Sequence, residues 1–409
     1  MAKKKASKKT TKKAAIKKST KKSSKKGTKG SNERSVGGNV LVKVKRKRDN
    51  RSTKVKIKDM AESVFTAGKN ETELFFDVPS RSYSNVAFNE KKSIIEMGDN
   101  CNRRQFFNLN QAKKYMQTLL VAEGCNQLID EGKTTSIRDL YYMTKHTIGT
   151  TKENTFDEQD ESDPIIEDLE VTIDSLREEL HLFASSKGAL VGNITVVDSG
   201  DTINCRQMGS GGWSIPSIVE ENVVQFKKCE AKFVLLVEKD AVWRRLNEDK
   251  FWKTNNCILL HGQGQPPRGV RRLLHRLVNE LKLPLYIFVD NDPWGYYIYS
   301  VIKQGSINLA YESERMAVPQ ARFIGLSSYD AVTYDLPRNV MIRLDDGDIR
   351  RAKEIMAYPW FQKKHWQKEI KNMLKMGVKL ELEALSKKGI SFVSDNYLPE
   401  KIKKKQFLD

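Results

Sequence analysis

The chain has 409 residues, 72 Lys or Arg against 52 Asp or Glu, and a formal net charge of +20. That length suits two or three domains with ample core. No apolar run reaches membrane-spanning length, the N-terminus lacks the apolar stretch of a secretory signal, and five scattered cysteines without a C-x-x-C pair point to reduced thiols in a cytoplasmic protein rather than to disulfides or a zinc site.

The charge is unevenly placed. Residues 1–58 hold 24 Lys or Arg against two acids, Glu33 and Asp49, which leaves 48 basic and 50 acidic residues in 59–409. The folded body is therefore nearly neutral, and the basicity is an appendage. "MAKKKASKKTTKKAAIKKSTKKSSKKGTKG" is low in complexity and cannot bury a core, so 1–58 is expected to be a disordered arm. Such an arm attracts polyanions through counterion release, without sequence preference. Alone it fits a solubilising tail as well as a nucleic-acid tether.

From residue 59 the composition turns globular. "QFFNLNQAKKYMQTLLVAEGCNQLIDEG" (105–132) has helical apolar spacing and stops at Gly132. "TTSIRDLYYMTK" reads as a second, short helix with Ser136 as N-cap and Asp139 three residues on. An acidic connector, "ENTFDEQDESDP", precedes a third helical stretch beginning "IEDLEVTIDSLREEL". "ALVGNITVVD" and "DTINC" then form a hairpin around Ser199-Gly200. Three helices followed by a hairpin wing is the order of a winged helix-turn-helix, so 59–215 is expected to be a winged-helix DNA-binding domain.

After "GSGGWSIPS" strands and helices alternate. "AKFVLLVEK", "NCILLHGQG", "LPLYIFVDND" and "ARFIGLS" are apolar strands, and three amphipathic helices lie between them. This implies a parallel α/β sheet covered on both faces over 216–409. Working residues in such sheets sit at the carboxyl ends of strands. Glu238 ends one strand, and Asp290 and Asp292 follow another. Three converging carboxylates repel one another unless a hard cation binds, and oxygen donors suit Mg²⁺. A lone D-x-D is more often a solvated loop; a Glu and a D-x-D on two strand ends is a stronger signal. "GSGGWS" and "GQGQPPRG" lack the G-x-x-x-x-G-K-[ST] pattern and read as tight turns, so any ATP site belongs to another chain.

The adjacent tyrosines of "SIRDLYYMTK" separate by helical phase. Ile137, Leu140 and Tyr141 share an apolar stripe, whereas Arg138, Tyr142 and Lys145 share a cationic face. Tyr142 is thus the exposed phenol, and cations beside it favour its anion and can grip a phosphate. Packing alone would also account for such a pair.

Taken together, "TSIRDLYYMTK", "LVEKDAVWRRL", "HGQGQPPRGVRRLLHRL", "FVDNDPWGYYIYSVIKQGSINLAYESERMAVP" and "EIKNMLKMGVKLELEALSKKGISFVSDNYLPEKI" resemble the A subunits of the archaeal type IIB topoisomerase, DNA topoisomerase VI. The resemblance runs from about residue 60 to the C-terminus, and the meiotic break-forming proteins are relatives. It implies a CAP-like winged helix followed by a TOPRIM-type domain. It also implies a catalytic Tyr142 with Arg138 beside it, and Mg²⁺ held by Glu238, Asp290 and Asp292, with Glu238 as metal ligand or as proton shuttle. The implied activity is transient cleavage of double-stranded DNA through a 5′-phosphotyrosyl link. The implied assembly is a homodimer joined by two B subunits carrying a GHKL-type ATPase, an A2B2 heterotetramer associated with the nucleoid and not with a membrane. The rival readings are a meiotic-type break former without strand passage and a non-catalytic chromatin protein.

Overall fold

The computed structural model describes residues 33–36, 40–43 and 48–409. Most of the basic arm lies outside those residues. Within it, β1 (Glu33–Val36) and β2 (Val40–Lys43) pair antiparallel. The boundary expected at residue 58 is corrected, because helix α1 (Thr53–Lys69) already begins at Thr53. Lys56 is buried there and donates to the carbonyl of Asp174 at 2.7 Å, so it serves packing and not the arm.

Strands β3 (Phe75–Pro79), β4 (Val86–Asn89), β5 (Ile94–Met97) and β6 (Cys101–Gln105) form two antiparallel pairs, β3 with β6 and β4 with β5. Helix α2 (Leu109–Glu131) follows and ends on Gly132 in the left-handed conformation, φ 63°. Strand β7 (Thr135–Ser136) leads into α3 (Ile137–Thr144), then α4 (Gln159–Thr172) and β8 (Leu182–Phe183), which pairs parallel with β7. Val121, Cys125, Leu140, Tyr141, Ile165, Ile166 and Leu169 bring α2, α3 and α4 into one core. The third helix starts earlier than its apolar pattern suggests. The acidic connector supplies its first turn, where Asp160 and Glu161 favour the positive end of the helix dipole. It ends early as well: Asp174 turns to φ 53°, and Ser175 is held by Thr53 of α1.

Strands β9 (Ala189–Gly192), β10 (Ile194–Asp198), β11 (Asp201–Asn204), β12 (Trp213–Ser214) and β13 (Val224–Cys229) come next. The hairpin at Ser199-Gly200 forms as expected, with both residues at positive φ. It is not carried by the three helices, however; β10 also pairs with β13, giving a three-stranded sheet. The leading "ALVG" of the expected wing leaves it and becomes β9, paired with β15. All four residues of β9 are buried, which suits an interior strand better than a half-exposed hairpin.

The chain then alternates through β14 (Val234–Val237), α5 (Asp240–Glu248), α6 (Phe251–Thr254), β15 (Ile258–His261), α7 (Arg268–Leu281), β16 (Leu285–Phe288), α8 (Pro293–Gln304), α9 (Ser313–Met316) and β17 (Arg322–Gly325). The sheet order is β12-β9-β15-β14-β16-β17. Four strands are parallel, as expected, and β9 extends them antiparallel against β15. Its close approach needs Gly192, where a Cβ would lie 2.4 Å from the Cys257 carbonyl oxygen. Side chains alternate between two cores: Leu236, Leu260 and Ile287 on one face, Leu235, Leu259 and Phe288 on the other. The C-terminal region adds α10 (Asp330–Thr333), β18 (Ile342–Arg343), α11 (Asp346–Ala357), α12 (Lys364–Met376), β19 (Val378–Lys379) and α13 (Leu398–Lys403). No helix among the described residues is long and apolar enough to cross a membrane.

Glu170 ties α4 to the sheet layer. It is fully buried and accepts from Arg268 of α7 at 2.6 Å, Arg177 at 2.9 Å and Tyr311 at 2.6 Å. Burial pushes its carboxyl up, but the two guanidinium groups outweigh that and hold it below the usual range. Removing one partner of a buried pair strands the other. Glu170→Ala should therefore cost about 3–5 kcal/mol in urea unfolding, and a loss below about 1 kcal/mol would contradict this role.

Candidate active site

Strands β14 and β16 are neighbours and run parallel, so the residues after them emerge side by side. Glu238 directly follows β14, and its N–H donates to the Phe288 carbonyl at 3.0 Å. The Asp290 N–H in turn donates to Glu238 Oε2 at 3.0 Å. Asp290 is held from two further sides: Oδ1 accepts from the Leu382 N–H at 2.8 Å, and Oδ2 meets Lys239 Nζ at 3.0 Å. Asp292 caps α8, its Oδ1 accepting from the Gly295 N–H at 2.6 Å. Gly295 is required, since a Cβ there would lie 2.4 Å from the Asp290 carbonyl oxygen.

This end of the sheet is short of compensating charge. Burial, followed by repulsion from Asp290, pushes the Glu238 carboxyl up to about 7. Burial likewise raises Asp290 to about 6, against the pull of Lys239, and raises Asp292. Carboxylates that are costly to ionise without a counter-charge are the chemistry of a hard-cation site, and on donor type the three residues fit Mg²⁺. As they stand they do not close around a point, and no group of three or more His, Cys, Asp or Glu among the described residues is arranged to hold a metal. The reason is visible: Asp292 is occupied in capping and Asp290 is turned to Lys239.

Lys239 was not singled out from the sequence. Besides Asp290 it binds Glu381 at 3.1 Å and Glu383 at 2.9 Å. Its only sequence signal was the charge alternation of "VEKD" and "KLELE". Asn291, between the two aspartates, is buried and pairs its backbone with Leu380. Its side chain donates to Glu369 Oε1 at 3.2 Å and to Tyr296 Oη, which holds the turn between the two aspartates.

On α3 the expected phase holds. Ser136 Oγ accepts from the Asp139 N–H at 3.0 Å, which starts the helix. Tyr141 is 6% exposed and donates to the Asp157 carbonyl at 2.9 Å; Tyr142 is 60% exposed, its ring 5.0 Å from that of Tyr141. Arg138 is also exposed and hydrogen-bonds no described residue. Lys145 corrects the helical reading. The helix ends at Thr144, and Lys145 Nζ donates to Tyr141 Oη at 2.7 Å and to the Asp157 carbonyl at 2.8 Å, so its hydrogen bonds go to Tyr141's side while its charge still acts on Tyr142. The structure thus joins Glu238 to Asp290 and sets Arg138 and Tyr142 on an open face, but no hydrogen bond or ion pair among the described residues joins α3 to the carboxylates.

Three families match successive parts of the chain. Residues 113–182 match the type IIB DNA topoisomerase family, and 187–230 match the all-beta domain of the DNA topoisomerase VI alpha chain. Residues 233–402 match the Toprim domain of the topoisomerase 6 A-subunit/Spo11 family. The A subunit of type 2 DNA topoisomerase 6 from Pyrococcus horikoshii is 45% identical over 363 residues, covering 86% of this chain and 94% of that protein. The chain belongs to the A-subunit family of type IIB DNA topoisomerases. The corresponding proteins of Hyperthermus butylicus and Methanothermobacter thermautotrophicus are 43% and 37% identical, over 85% and 80% of this chain and 92% and 90% of theirs. The hairpin that left the helical unit falls within the all-beta match, and the carboxylates fall within the Toprim match.

Cation binding requires the carboxylates to lose their protons. Mg²⁺ or Mn²⁺ affinity, measured by calorimetry, should therefore rise from pH 5.5 to 8 as Asp290 and then Glu238 ionise. Asp290→Asn should weaken it by roughly tenfold or more. Affinity that is flat with pH would contradict the site.

Proposed function

We infer that the chain is the DNA-cleaving and rejoining subunit of a type IIB topoisomerase, with Tyr142 as nucleophile. The observation that carries the assignment is the split of the tyrosine pair: one phenol buried and hydrogen-bonded, the next exposed beside an arginine that hydrogen-bonds no described residue. Tyr142 Oη attacks a backbone phosphorus, a P–O bond forms to tyrosine, and the P–O3′ bond breaks. The phenolic proton leaves and the 3′ oxygen takes one up, so the step balances. The 5′-phosphotyrosyl link stores the bond for resealing by the reverse reaction. Arg138 lies one turn before Tyr142 and grips the phosphate through its planar fork.

Glu238, Asp290 and Asp292 would hold Mg²⁺, which supplies neutralising charge at the phosphate when bound. Protonated, Glu238 is a donor for the leaving 3′ oxygen, and its carboxyl near 7 puts both forms within reach at neutral pH. Each chain offers one nucleophile, so cutting both strands of a duplex takes a homodimer. The relatives' designation as A subunits supports a B partner, and the lack of a phosphate-loop motif is consistent with a GHKL-type ATPase on that partner in an A2B2 assembly. Helices α2, α3 and α4 are read as the winged-helix docking unit of 59–215 and the sheet as the metal-binding unit of 216–409, with β9 and β12 threaded back into the latter. A DNA-processing enzyme of this kind works in the cytoplasm, on the nucleoid.

Tyr142→Phe should abolish a covalent protein–DNA adduct. Tyr141→Phe should keep the adduct while losing about 1 kcal/mol of stability with its buried hydrogen bonds. The reverse pattern in a denaturing-gel adduct assay would overturn the assignment. Residues 1–32 carry 14 lysines and no acid. Deleting them should weaken duplex binding and flatten its salt dependence while sparing cleavage; loss of cleavage even at low salt would show that the arm does more than tether.

A further inference from the structure

Helix α12 has two opposed faces. Trp366, Glu369, Ile370 and Met373 are buried, whereas Lys364, Lys368, Lys371 and Lys375 are exposed. Those positions follow i, i+4, i+7 and i+11, so the four ammonium groups form one ridge along about 16 Å of helix. None of the four makes an ion pair among the described residues, although the adjacent Lys363 binds Asp409 at 2.7 Å. Like charges at this spacing destabilise a helix, so local folding does not account for the row.

Beside the ridge runs a groove of about 480 Å³ whose remaining lining is Tyr329, Gln362, Gln367 and Asn372. It has no acidic side chain. Lys368 Nζ stands 5.5 Å from the centre of the Tyr329 ring, and Asn372 donates to Ser328 Oγ at 2.7 Å. The opposite face of the same helix reaches the candidate active site. Glu369 Oε1 accepts from Asn291, between the two aspartates, from Tyr296 Oη at 2.7 Å and from the Ser328 N–H. One short helix therefore braces the D-x-D turn on its inner side and presents four unpaired cations on its outer side.

We propose that the outer face of α12 is a phosphate track for the duplex that is cut, with Lys364, Lys368, Lys371 and Lys375 as its contacts. This rests on the reading of the chain as a DNA-cleaving subunit. The ridge is uniformly cationic, Tyr329 is the single aromatic lining the groove and Lys368 sits over its ring, and flexible ammonium groups suit sequence-independent backbone contacts. Because Glu369 is fixed to the turn between Asp290 and Asp292, a backbone attracted to the ridge is also registered against the carboxylates.

The test uses the full chain with K364Q, K368Q, K371Q and K375Q combined, beside a chain carrying arginine at the same four positions. Duplex binding is measured against salt by fluorescence anisotropy, and covalent adduct against DNA concentration. The glutamine chain should show a log–log salt slope shallower by about 3 to 4 per protomer, and half-maximal adduct at roughly hundredfold higher DNA concentration. The arginine chain should keep the parent slope. A slope change below about 1, or an arginine chain as impaired as the glutamine chain, overturns the track. An unchanged slope with lost binding of the ATPase partner assigns the ridge to protein and also overturns it. Steep binding by the parent chain without any adduct defeats the cleavage reading instead, and the slope comparison still decides the ridge.

Discussion

The structure depends on the parallel pairing of β14 with β16. It sets Glu238 and Asp290 at adjacent strand ends, close enough that a backbone N–H of one is bonded to the carboxylate of the other. Little water reaches them, so burial raises both carboxyls and mutual repulsion adds to it for Glu238. Lys239 offsets part of that cost and turns Asp290 away from its neighbour. A divalent cation would compete with Lys239 for the same oxygen. The surrounding elements can be understood as holding this charged edge together: Gly295 admits the turn, Asn291 and Glu369 brace it, and Leu380 and Leu382 supply backbone contacts from the C-terminal region.

The proposed nucleophile, Tyr142, is built on a different principle. Helix α3 buries Ile137, Leu140, Tyr141 and Thr144 and leaves Tyr142 on its open side. The Tyr141 phenol donates to the Asp157 carbonyl and Lys145 donates to both, which fixes the helix end and leaves Tyr142 as the open phenol. In the proposed reaction Arg138, one turn away on the same helix, is the cation that meets the phosphate beside Tyr142, and no hydrogen bond or ion pair among the described residues joins α3 to the carboxylate edge.

Much of this was legible in the sequence. The phase of "SIRDLYYMT" separates the two tyrosines because an eight-residue capped helix has little freedom to slip, and the strand-end carboxylates follow from alternation of apolar strands and amphipathic helices. What escaped was non-local or terminal. Strand β9 reads locally as the start of the hairpin's first strand, yet its partner β15 lies more than 60 residues on. The acidic start of α4 looks like a loop because its residues are polar, although polar acids are what a helix N-terminus favours. Lys145 fits the cationic stripe only if the helix continues, and it stops one residue earlier. Lys239 and Glu369 act across the fold, and no spacing rule connects them to Asp290 or Asn291.

The account's central claim, that one exposed phenol takes the 5′ end of a broken strand, is tested most directly by mapping the linkage itself. The protein would be trapped on duplex DNA, digested with nuclease and protease, and the nucleotide-bearing peptide sequenced by mass spectrometry. The account predicts a 5′-linked nucleotide remnant on Tyr142. A remnant on Tyr141, on any other residue, or joined through a 3′ phosphate would contradict it.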